Sequence, residues 1–157
     1  MKASAKDYFN VAVRLWIGAI FLSTGWMKAV EPFENFRGVL SHYGLLPQVV
    51  LPLIAHSIPW IELITGLFLV VGYALPLAVI AAGALSGSFV LLLGISFLTQ
   101  SALPEHCGCF GSGIQMVPAQ MLILDTVHLV LTLAILRYPS SFFSIDRIFV
   151  TPLNKKG

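Results

Sequence analysis

VVLPLIAHSIPWIELITGLFLVVGYALPLAVIAAGALSGSFVLLLGISFL, residues 49–98, decides the fold. Glu62 is the one Asp, Glu, Lys or Arg in this stretch, and its apolar character breaks at a single short turn, Gly72, Tyr73, Ala74, Leu75 and Pro76. Each side of the turn is an apolar run close to the roughly 20 residues that a helix needs to cross a bilayer. A similar run precedes this pair and another follows it, so the expected spans are about 9–30, 49–72, 76–98 and 118–136. Of 157 residues, 57% are hydrophobic and 10% charged, and the mean hydropathy is +0.89. A soluble domain carries about a quarter charged residues. The expected fold is an all-α membrane four-helix bundle in one integral domain, 1–157, with short interfacial helices.

Charge reports orientation rather than partner. The formal net charge of +2 and the absence of a basic patch interleaved with aromatics argue against nucleic acid. Lys2, Lys6, Arg137, Arg147, Lys155 and Lys156 flank the termini. Lys28 and Arg37 are the basic residues before the second span, and the loop before the last span has no Lys or Arg. The positive-inside rule then places both termini in the cytoplasm of an inner-membrane protein and residues 100–117 on the periplasmic or equivalent side. The N-terminal run is too long for a signal-peptide core and has no clear cleavage site, so it reads as a retained span. After Pro32, Phe33, Phe36, Val39, Leu40 and Tyr43 recur at helical spacing and predict a helix along the membrane surface. Phe142, Phe143, Ile145, Ile148 and Phe149 with Arg147 suggest a second interfacial segment. Pro52 and Pro59 predict a bend or an irregular turn in the second span. Gly83, Gly87 and Gly94 predict close helix packing in the third.

The only two cysteines, Cys107 and Cys109, stand in His106-Cys107-Gly108-Cys109-Phe110-Gly111 between the last two spans. Disulfides persist on the non-cytoplasmic side. A disulfide between positions i and i+2 closes a small ring away from relaxed geometry, and strained disulfides are the more oxidising ones. Gly108 gives the backbone the freedom such a ring needs. Protonated His106 favours the Cys107 thiolate and makes that sulfur the candidate for exchange. A structural disulfide is the competing reading, although so short a loop restrains the unfolded chain little. A zinc or copper(I) site is the third, but four ligands at a familiar spacing are not present, and no metal is expected.

Ionisable residues inside the spans are expensive in lipid and mark the bundle interior. Arg14, Gly18, Phe21, Gly25 and Lys28 share one face of the first span, while Asp125, His128 and Thr132 share one side of the last. Arg14, Lys28, Glu62 and Asp125 predict either a structural ion-pair network or a polar site for a quinone head group. Glu62, Asp125 and His128 are candidate proton carriers, because thiol oxidation releases two protons with two electrons.

RLWIGAIFLSTGWMKA from Arg14, PWIELITGLFLVVG from Pro59 and HCGCFG from His106 together resemble the MauE family of methylamine-utilisation membrane proteins, within the wider DoxX-like group. The resemblance runs from Arg14 to Leu136. It implies a four-helix membrane protein associated with disulfide formation in an exported partner, beside a thioredoxin-like protein and with links to quinone oxidation. Cys107 and Cys109 then become the redox pair, and Arg14, Lys28 and Glu62 match polar positions of the spans. Leu124 stands before Asp125 where the pattern leads one to expect arginine. The leading expectation is a quinone-linked thiol-disulfide oxidoreductase serving an exported thioredoxin-like or disulfide-containing protein. A non-catalytic accessory subunit of a respiratory or dehydrogenase complex is the alternative. A transporter has little support, since no inverted repeat is evident.

Overall fold

The computed structural model describes residues 5–99 and 116–138, all of the regular structure being helical. The elements are α1 (Ala5–Val30), α2 (Phe33–His42), α3 (Leu51–Val71), α4 (Leu75–Leu98) and α5 (Pro118–Arg137). Four of them, α1, α3, α4 and α5, are long and apolar enough to cross a membrane. At 1.5 Å rise per residue they are about 30 to 39 Å long. Their outward faces stay apolar: Leu91 and Ile123 are each 66% exposed, which suits hydrocarbon rather than water. The segments 100–115, with His106, Cys107 and Cys109, and 139–157, with the expected second interfacial segment, lie outside the described residues.

Local chemistry explains the helix ends. Asp7 in the first turn of α1 and Lys28 in its last turn complement the helix dipole. α3 stops at Gly72, whose φ of 74° is left-handed, and the Gly72 and Tyr73 N–H groups both donate to the Phe68 carbonyl. Ala74 follows at φ 45°, and α4 starts at once with Pro76 in its first turn. α5 opens on Pro118, and the Gln120 side chain accepts a hydrogen bond from the Val117 N–H.

Pro52 sits in the first turn, where a missing N–H costs nothing, and the helix runs on through Pro59 without a break. Of the α4 glycines only Gly83 is tightly packed: a Cβ there would lie 3.2 Å from Thr132 Oγ1 on α5. A Cβ on Gly94 would meet no neighbour within 4 Å, and one on Gly87 would meet Leu129 at an ordinary 3.8 Å. The closest approach is between α1 and α3: a Cβ on Gly18 would lie 3.0 Å from the Gly66 carbonyl, one on Gly25 2.9 Å from the Pro59 carbonyl, and one on Gly66 2.8 Å from the Gly18 carbonyl. α4 pairs mainly with α5, and α3 joins the two pairs.

The interior is layered. Val13, Ile17, Phe21, Leu69, Ala78, Val79 and Ala82 form an apolar core toward the α3–α4 turn. At the opposite end α2 lays Phe36 and Leu40 against Leu51 and Ala55, and Tyr43 meets Leu93 and Met121. Burial pushes the Tyr43 phenol above its ordinary range. Lys28, Glu62, Asp125 and His128 lie between these apolar layers.

Candidate functional site

Lys28 is carried by the last turn of α1 and Glu62 by the middle of α3, and the Gly25 contact with α3 brings the two backbones close enough for their side chains to meet. Lys28 Nζ donates to Glu62 Oε1 at 2.6 Å, with the two side chains 2% and 5% exposed. The Phe36 and Phe89 rings stand 5.0 and 5.4 Å from the same ammonium, within cation–π range. One carboxylate and two ring faces thus replace the water that Lys28 loses.

Asp125 and His128, one turn apart on α5, face this ion pair. His128 Nδ1 lies 3.9 Å from Asp125 Oδ1, too far for a direct hydrogen bond and close enough for electrostatic coupling. The imidazole is 1% exposed. It is held edge-on by Trp16 at 4.9 Å, with Phe21 at 5.9 Å.

Lys28, Glu62, Asp125 and His128 line one cavity with Thr24 and Phe89. Its volume is about 20 Å³, room for a single water. Glu62 Oε2, Asp125 Oδ2 and His128 Nε2 are buried and have no hydrogen-bond partner among the described residues. The arrangement can bind water and hold protons, but it has no space for a quinone ring. A larger cavity of about 580 Å³ lies between α2, α3 and α4. Leu40, Leu53, Ile58 and Leu92 give it an apolar lining, relieved by Ser57 and Ser88. Leu85 and Phe89 border both cavities and separate them.

Arg14 does not join the cluster. It is buried, but it precedes Lys28 on α1 by 14 residues, about 21 Å along the helix axis. The one face predicted for Arg14, Gly18, Phe21, Gly25 and Lys28 is nonetheless the buried face of α1. Phe36, Phe89 and Thr24 were missed by sequence reasoning. Thr24 carried a signal, one turn before Lys28 on the same face; the two phenylalanines looked like any apolar residue. Among the described residues no group of three or more His, Cys, Asp or Glu is arranged to hold a metal ion.

Thr99 and Met116 are the described residues that flank 100–115. Met116 packs with Tyr43, Leu93 and Met121, which places Met116 at the α2 end, the end nearer the polar cavity. The family described as Methylamine utilisation protein MauE matches residues 6–138. The methylamine utilization protein MauE of Paracoccus denitrificans is 30% identical over 121 residues, covering 77% of this chain and 63% of that relative. The chain thus spans under two thirds of the relative's length. No solved structure matches.

Proposed function

The chain belongs to the MauE family, and from that membership we propose that it serves methylamine utilisation as a thiol-disulfide oxidoreductase of the inner membrane. In this reading both termini are cytoplasmic. Cys107 and Cys109 exchange electrons between an exported thioredoxin-like or disulfide-containing protein and membrane quinone.

The observation that carries the reading is that Thr99 and Met116, the described residues flanking the cysteine segment in sequence, belong to the bundle end closed by α2. That end is the one that charge assigns to the outside, and the buried polar layer lies nearer to it than to the α3–α4 turn. A partner dithiolate attacks the Cys107–Cys109 disulfide, a mixed disulfide forms, and the partner's second thiol resolves it. The partner is oxidised by two electrons and the pair is left as two thiols. His106, when protonated, favours the Cys107 thiolate in the return step. A bound quinone supplies the two-electron, two-proton acceptor that reforms the disulfide. The 580 Å³ cavity is the place whose size and lining suit such a ring and its apolar tail.

Reconstitution with quinone and a reduced thioredoxin-like protein tests this. Wild type reduces quinone; Cys107→Ser and Cys109→Ser each lose the activity. Quinone reduction that persists in both variants overturns the proposal. A wild-type pair that stays oxidised in the presence of the reduced partner supports an accessory subunit with a structural disulfide instead.

A further inference from the structure

The cavity of about 580 Å³ has no Asp, Glu, Lys, Arg or His among its described lining residues. Its polar side chains are Ser57 on α3 and Ser88 on α4. Ser57 stands 14 residues before the end of α3 at Val71, and Ser88 stands 13 residues after the start of α4 at Leu75. The two helices run antiparallel from the turn between them, so the serines lie about 21 and 20 Å from it, at nearly one depth. Leu53 and Leu92 line the cavity toward the α2 end, and Ile61 and Leu85 line it toward the turn. A ligand therefore meets one polar level between two apolar ones. That lining disfavours a charged molecule and suits a flat neutral ring bearing oxygen.

The side of entry follows from exposure. Leu53 and Ile61 are 68% and 44% exposed, and Ser88 is exposed too, in helices apolar enough to cross a membrane. The cavity thus opens toward hydrocarbon on its α3–α4 side, where a ligand dissolved in the bilayer reaches it.

Ser88 bears on which form of such a ring is held. Its Oγ donates to the Ala84 carbonyl at 2.7 Å. A carbonyl can only accept, so the hydroxyl proton is taken up by the backbone and Ser88 offers a ligand its lone pairs. A ligand hydroxyl gains a hydrogen bond there and displaces none. A ligand carbonyl has to draw the proton away from Ala84, exchanging one bond for another. We infer that the cavity discriminates by donor, holding the quinol form of the ring more tightly than the quinone through Ser88 Oγ. The preference is about fivefold, the contribution of roughly one hydrogen bond.

The choice of a quinone as the ring rests on the redox reading above; the acceptor character of Ser88 does not. In that reaction two thiols form one S–S bond and release two electrons and two protons, and the two carbonyl oxygens of the quinone become the hydroxyls of the quinol. Tighter binding of the quinol raises the potential of the bound couple, by about 20 mV for a fivefold preference. Electrons are thereby drawn from the thiols toward the ring. Ser88 selects between the two forms and takes no part in bond making.

Equilibrium binding of a short-chain benzoquinone, its quinol and the dimethyl ether of that quinol tests the inference. The full chain carrying Cys107→Ser/Cys109→Ser is used in lipid nanodiscs without oxygen, because it has no thiols to interconvert the two forms; empty nanodiscs correct for partitioning. The quinol is expected to bind about fivefold more tightly than the quinone, and the ether, which has no O–H, to bind like the quinone. Ser88→Ala is expected to bring the quinol to the affinity of the quinone and to leave the quinone unchanged. Equal affinity for quinol and ether overturns the inference without recourse to a serine variant, and so does a preference that survives Ser88→Ala. Failure of the redox reading shows separately: reduced wild type then reduces no quinone, while the quinol preference of the thiol-free protein stands.

Discussion

Lys28 shows why a buried ion pair is a commitment. Its ammonium is held by Glu62 and by the faces of Phe36 and Phe89, and removing either ionic partner leaves the other charge desolvated. Lys28→Met is expected to cost about 3–5 kcal/mol, the range for breaking a buried pair. The double variant Lys28→Met/Glu62→Leu recovers most of that loss, because no charge is then left in the apolar layer. Thermal unfolding in detergent of the parent, both single variants and the double variant closes the cycle. Purely additive losses would refute the coupling. The burial of Lys28, Glu62, Asp125 and His128 was legible from the cost of charge in lipid. Their meeting in one cavity, and Arg14's exclusion from it, depended on the offset between helices, which residue type does not encode.

At the scale of elements, α1 and α3 approach through backbone rather than side chains. Gly18→Ala, Gly25→Ala and Gly66→Ala each place a methyl within about 3 Å of a carbonyl of the facing helix, and each is expected to destabilise by about 1–3 kcal/mol through overpacking. Gly94→Ala, with open space around it, is expected to gain up to about 1 kcal/mol from helix propensity. Denaturation midpoints of the four variants in one detergent check the contrast. The α3–α4 turn gives an opposite-signed pair. Gly72→Ala is expected to lose about 1–2 kcal/mol and Ala74→Gly to regain a comparable amount, since both positions are left-handed; the same unfolding assay reads both. Glycine spacing pointed to α4 for close packing, which holds at Gly83 against Thr132 but not at Gly87 or Gly94. A glycine permits close approach, but which neighbour takes up the offer is settled by how the pairs of helices assemble.

For the whole molecule, the layered interior separates two tasks. The water-sized polar cavity lies behind Leu85 and Phe89, and the apolar cavity of about 580 Å³ lies in front of them. Ser88→Phe fills the latter, which Ser88 lines. It is expected to reduce quinone reduction at least tenfold while thiol exchange with the partner stays unchanged, as measured by partner reoxidation and quinol formation in the same vesicles; equal loss of both would place the acceptor elsewhere. A membrane-impermeant maleimide added to oriented vesicles after reduction is expected to label the two thiols only from the face opposite the termini. Composition and apolar run length settled a great deal unaided: the helical class, four long helices, a short helix after Pro32 and the sparseness of charge between them. Those properties follow from transfer of each residue into hydrocarbon, a cost that is local and additive along the chain. Folding alone decided that Lys28 pairs with Glu62, that two phenylalanines flank the ammonium, that Arg14 stands apart and that the polar space admits a water but not a ring. Helix offset, rotation and side-chain volume act together across α1 to α5 in these outcomes, and no single stretch of sequence contains them.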